Sequence, residues 1–287
     1  NKDNEWKPGY ERSSVYSVYD VDAGSWAEWK TIEMPDPKKF RDCGAGCTQR
    51  YDLPNGDVLL PFYYFGPETG EGKIKTGRRG AVMRCKFDGQ TLKYVEHGNE
   101  LIPLAPVGFY EPSLTKFGKK FFLTIRNETN GYVATSDDGL NFDEPRPWLY
   151  DDGGELGSVS TQQHWITHSN GLFLVYTRRG PENMEVFRHR APLFIAQVDP
   201  DRLCVIRKTE RALVPDRGAI IGNFGTMNVS REESWVTVAE WMQHGIGARF
   251  NVPEVCEKGG SDNSVYVVRI KWNKPNELVA WKTSGEK

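Results

Sequence analysis

Glu111 and Arg126 are the first residues in this chain that read as chemistry. They bracket "EPSLTKFGKKFFLTIR", in which two apolar runs flank a Gly-containing turn. Such a hairpin brings a carboxylate and a guanidinium to the same end of two paired strands. Further arginines, Arg188 and Arg190, stand in "RHRAPLFIAQV". Guanidinium forks bind carboxylates in two-pronged fashion, so the set suits a ligand with a carboxylate. Glu111 has the chemistry of a general acid or base for hydrolysis of a glycosidic bond. That reaction needs a second carboxylate, for which Asp42 and Glu240 are available. Tyr110 and His164 offer another reaction. With a uronate carboxylate neutralised by arginine, they would move protons in a β-elimination. Gln49, Gln163 and Asn223 add amides that would meet sugar hydroxyls.

The elements that must position these groups are short strands. Alternating or β-branched runs recur between Gly, Asn, Asp and Pro, and no long helical period appears. "DLPNGDVLLPFYY", "SLTKFGKKFFLTI", "WITHSNGLFLVYT" and "MNVSREESWVTVAEW" each read as a hairpin. Each is followed by a third strand: "RGAVMRCKF", "GYVATS", "APLFIAQV" and "SVYVVRIKW". A fourth strand follows, often ending in a Pro-capped phrase such as "VIRKTERALVP". A partial copy covers about 10–36, and fuller copies cover about 44–103, 108–150, 158–215 and 221–282. Four-stranded units repeated at this scale predict an all-β fold, a β-propeller forming one domain over 1–287. Five blades are visible, consistent with a six-bladed ring whose remainder precedes Asn1. First strands line a propeller's channel, which places Gln49, Tyr110, Glu111, Gln163, His164 and Asn223 at its rim.

"TSDDGLNF" resembles the Asp-box turn of sialidase-type propellers, with Ser136 and Asp138 in the tying positions and Phe142 in place of a Trp. The order of polar residues resembles that family too. A Glu at one first strand and an Arg at the end of the second correspond to Glu111 and Arg126. An Arg before the third strand of the next blade corresponds to Arg190, with Arg188 as alternate. Asn223 and Phe224 stand where the family carries its nucleophilic Tyr. The resemblance implies a carbohydrate-active, sialidase-like glycosidase acting on glycans with sialic or uronic acid. The departures leave two alternatives, a uronate lyase and a non-catalytic glycan-binding propeller.

Composition agrees with an ordinary globular protein. The 287 residues carry a net charge of −2, which gives no bulk attraction for nucleic acid. Nine Trp and twelve Tyr fit both strand packing and sugar stacking. Five cysteines leave at least one thiol free, and Cys43 and Cys47 have no matching second pair, so no zinc site is expected. No cofactor is expected either. The acidic loop 149–155 reads as a solvated turn in preference to a calcium site. No apolar run has membrane-spanning length. A monomer is expected, and the substrate class favours a secreted or periplasmic location.

Overall fold

The structure is a computed structural model that describes residues 12–40, 42–65, 77–103, 108–184, 186–242 and 253–279. It is a β-propeller, and four of the five repeats form full sheets. In the first sheet, β5 (Cys43–Gly44) and β6 (Tyr51–Asp52) both pair with β7 (Val58–Phe65), followed by β8 (Arg78–Phe87) and β9 (Leu92–His97). The partial first repeat makes two small ribbons. There β1 (Val15–Tyr16) pairs with β4 (Lys30–Thr31), and β2 (Tyr19–Asp20) with β3 (Ser25–Trp26).

The second blade runs β10 (Tyr110–Phe117), β11 (Lys120–Arg126), β12 (Tyr132–Ser136) and β13 (Arg146–Pro147). The third runs β14 (His164–His168), β15 (Gly171–Tyr176) and β16 (Leu193–Asp199), whose far edge takes both β17 (Cys204–Val205) and β18 (Arg211–Val214). In the fourth, β19 (Ile220–Ile221) and β20 (Gly225–Asn228) share the inner edge of β21 (Glu233–Trp241), with β22 (Val265–Lys271) outside.

In the first three blades the middle strands read as near-continuous apolar runs because both of their faces are covered, whereas β21 of the fourth alternates buried and open positions. Each core lies between blades. Leu59, Val82, Leu114 and Leu123 join the first to the second. Phe122, Trp148, Trp165 and Phe194 join the second to the third. Ile166, Val175, Ile220 and Val236 join the third to the fourth. One polar turn locks its neighbour. Asp138 Oδ1 accepts from the Leu140 and Asn141 amides at 2.8 and 2.7 Å, and Ser136 Oγ accepts from the Gly139 amide at 2.9 Å. Gly139 has φ +78°, and a Cβ there would lie 2.6 Å from Leu59 Cδ1, so the turn requires glycine. In the third blade the hairpin turn is Ser169–Asn170, and Gly171 pairs with His168 inside the ladder.

The inner strands meet at the axis. Gln49 bridges Ser113 in parallel, and its side chain brackets Trp165: Oε1 accepts from the Trp165 amide at 2.8 Å and Nε2 donates to its carbonyl at 3.1 Å. Thr226 Oγ1 donates to that same carbonyl at 2.9 Å, and the Trp165 indole donates to the Ser113 carbonyl at 2.8 Å. All four blades are thus stitched at one level. Among the described residues no helix is long and apolar enough to cross a membrane.

Candidate active site

Just N-terminal to that stitched level, the inner strands break. The first blade's inner edge is interrupted between β5 and β6, with Cys47 at φ +55°. In β10 the register shifts between Tyr110 and Ser113, and Glu111 has φ +42°. Ser160, shortly before β14, has φ +51°. Asn223 lies in the gap between β19 and β20. Bulges re-aim side chains, and non-glycine residues at positive φ persist where surrounding structure holds them. Here the breaks gather polar groups from four blades.

Tyr110 pairs with Arg126 across the hairpin, and Arg126 Nη1 donates to Glu111 Oε2 at 2.8 Å. The guanidinium lies 5.7 Å from the Tyr110 ring centre, and Nη2 reaches Ser160 Oγ at 3.3 Å. Among the described residues none accepts a hydrogen bond from its buried Nε. Burial acts to lower the Arg126 pKa, and the Glu111 carboxylate reverses this, leaving it raised. A second pair touches the same ring. Arg78 Nη2 donates to Asp42 Oδ2 at 2.7 Å, and its guanidinium lies 5.9 Å from the Tyr110 centre. Arg12 Nε donates to the other Asp42 oxygen at 3.1 Å. Burial pushes Asp42 up, but Arg78 and Arg12 outweigh it and hold the carboxyl below its ordinary value. Tyr63 completes this side, its ring 5.9 Å from Tyr110; burial pushes its hydroxyl pKa up.

Arg190 closes the other side. Its Nε and Nη2 donate to the Ser160 carbonyl at 3.3 and 2.7 Å. Burial, then the like charges of Arg126 and Arg188, push its pKa down to about 10, which still leaves it charged at neutral pH. Arg188 is exposed, with φ +57°. Asn223 Nδ2 donates to Cys47 Sγ at 2.9 Å, joining the fourth blade to the first. Burial, and then the Glu111 charge, raise the Cys47 thiol pKa.

The structure therefore gathers Tyr110, Glu111, Arg126, Arg190 and Asn223 around one mouth, while Arg188 lies over the ring of Phe187 and acts on Arg190 through its charge. The remaining three residues have their polar atoms engaged elsewhere. Gln49 spends its amide on Trp165. Gln163 is fully buried, accepting from Thr124 at 2.8 Å and donating to Ser158 and the Thr161 carbonyl. His164 is 4% exposed, with Nδ1 2.8 Å from Ser113 Oγ. Burial pushes its pKa down to about 4, against a backbone hydrogen bond with Phe224.

Arg78 and Tyr63 were not singled out in the sequence. A signal for Arg78 existed: it opens the third strand of its blade, as Arg190 precedes the third strand of another. Glu240, at the end of β21, accepts from Tyr266 Oη at 3.0 Å and the Asp262 amide at 3.0 Å. In the acidic loop 149–155, Asp152 pairs with Arg207 and Asp151 accepts from the Arg207 amide. Among the described residues no group of three or more His, Cys, Asp or Glu side chains is placed to hold a metal.

No protein-family model matches the chain, and a comparison with curated proteins returned no match. Among solved structures, the chain is similar to a mutant of the NanB sialidase from Streptococcus pneumoniae. The TM-score is 0.53 at 12% identity, covering 88% of this chain and 34% of that one. It is also similar to the GH32 β-fructofuranosidase BmSUC1 from Bombyx mori. There the TM-score is 0.50 at 16% identity, covering 84% of this chain and 50% of that one. The chain spans half or less of the length of these structures, and at such identities the likeness is one of fold: the propeller.

Proposed function

We infer that the protein is a glycoside hydrolase acting on a glycan that carries a carboxylated sugar, sialic or uronic acid. One observation carries this reading. Two carboxylate–guanidinium pairs, Glu111–Arg126 and Asp42–Arg78, flank the single ring of Tyr110, with Arg190 beside them. Arg126, Arg188 and Arg190 receive the sugar's carboxylate, and Asn223 meets its hydroxyls. Glu111 moves the proton at the glycosidic oxygen. Asp42, held ionised, is the second carboxylate that the chemistry needs. The two solved neighbours, a sialidase and a fructofuranosidase, are by name sugar-cleaving enzymes, which supports this class. Beta-elimination is less well supported, since its proposed base, His164, is buried with Nδ1 against Ser113.

The test is incubation with sialylated and uronate-containing glycans, following reducing ends and ultraviolet absorbance together. Reducing ends without new absorbance are expected, and Glu111→Gln should lower the rate about a hundredfold or more while binding persists. Absorbance rising with the reducing ends would establish a lyase instead. Binding without any cleavage would leave a glycan-binding propeller.

A further inference from the structure

Arg190 has a second side. Besides its bonds to Ser160, it forms part of the wall of a cavity of about 290 Å³, with Gly222, Asn223, Ala239, Glu240 and Trp241. The cavity lies where the fourth blade's inner strand breaks against the end of β21. Gly222 donates to the Ala239 carbonyl at 2.8 Å, and Ile220 pairs with Trp241. Three features make this space suited to a sugar. Trp241 is 41% exposed at the strand end and so offers indole surface to the apolar face of a pyranose. Asn223 is exposed, its Nδ2 is engaged by Cys47, and among the described residues none donates to its carboxamide oxygen, which can then meet a hydroxyl. Gly222 has no side chain, so a ring can approach the backbone closely. The carboxylate of the wall, Glu240, accepts from the Tyr266 hydroxyl and the Asp262 and Ser264 amides and lies 3.4 Å from Arg217 Nε, so its charge is already compensated.

Arg190 and Asn223 belong both to this cavity and to the mouth at Glu111. We propose that the cavity is a second sugar subsite, holding the residue next to the carboxylated one, with Trp241 as its stacking platform. The proposal rests on the acidic-sugar reading above and specifies it further: the ligand is an oligosaccharide, extending from Arg126 past Asn223 toward the fourth blade. Arg190 then contacts both rings, which fixes the direction in which the chain lies.

Binding isolates the subsite. The probes are free N-acetylneuraminic acid, free glucuronic acid, sialyllactose, a hyaluronan tetrasaccharide and a neutral cello-oligosaccharide, titrated against the intact wild-type protein and the Trp241→Ala and Trp241→Phe variants. Trp241 is a surface residue, and Trp241→Phe keeps an aromatic ring should the alanine variant fail to fold. Trp241→Ala should weaken an acidic oligosaccharide about tenfold and leave the matching free acid unchanged, with Trp241→Phe between. An oligosaccharide that binds no tighter than its free acid, or that loses nothing in Trp241→Ala, overturns the subsite and leaves the acidic-sugar reading standing. Trp241-dependent binding of the neutral oligosaccharide, with no binding of either acid, keeps the stacking platform and overturns the acidic-sugar reading. Wild-type protein that binds none of the probes overturns both.

Discussion

At the scale of single residues, the site is two ion pairs held by one aromatic ring. Asp42 is 2% exposed, and its oxygens accept from Arg12 and Arg78. Removing one partner of a buried pair strands the other charge. Asp42→Asn should therefore cost about 3 kcal/mol of stability, read from chemical denaturation. A double variant, Asp42→Leu with Arg78→Met, should regain much of that loss and still lack activity. Recovery of both would make the pair structural only. Glu111 shows a different strategy. It sits at φ +42°, a conformation that its side chain disfavours, and its Arg126 bond holds it there.

At the scale of elements, the sequence was most legible where one strand follows another through a short turn. The hairpin of β10 and β11, and with it the meeting of Glu111 and Arg126, could be read from the apolar runs and the Gly118 turn alone. The turn at Ser136 and Asp138 was legible through its likeness to the Asp-box, a motif that can be read because its hydrogen bonds are local. Arg78 and Tyr63 escaped because their partners lie in other segments: Asp42 precedes a different strand, and Tyr110 belongs to another blade. No period in a sequence encodes such contacts. Gln49, Gln163 and His164 show the converse. A polar residue on an inner strand has the same appearance whether it faces a ligand or ties blades together. Gln49 does the latter, and Gln49→Leu leaves the Trp165 amide without its acceptor. That should cost about 2 kcal/mol, measured as a shifted denaturation midpoint at unchanged slope.

At the scale of the whole molecule, cooperativity rests on cores that lie between blades, so loss at one interface exposes the next. The fourth blade has a bare side: Met227, Val265 and Val267 are all exposed. Buried histidine adds a dependence on pH. Below pH 6.5 the unfolded chain takes up the proton that folded His164 refuses until about 4, so stability should fall as pH drops through that interval. Against their burial, Asp138, bonded by its turn amides, and Glu100, paired with Lys39 and Arg79 in the first blade, are both held down to about 2 and add further loss below their ordinary carboxyl values of 3.8 and 4.5. Denaturation at a series of pH values checks this, with His164→Gln expected to flatten the first interval. The stitching of Gln49, Ser113, Trp165 and Thr226 at the axis has a consequence for traffic. The site lies two to five residues before that floor on each inner strand, so a polymer cannot be threaded down the axis like a cord through a bead. A ligand held at the mouth leaves by the doorway through which the next one arrives, and the two compete for the same threshold.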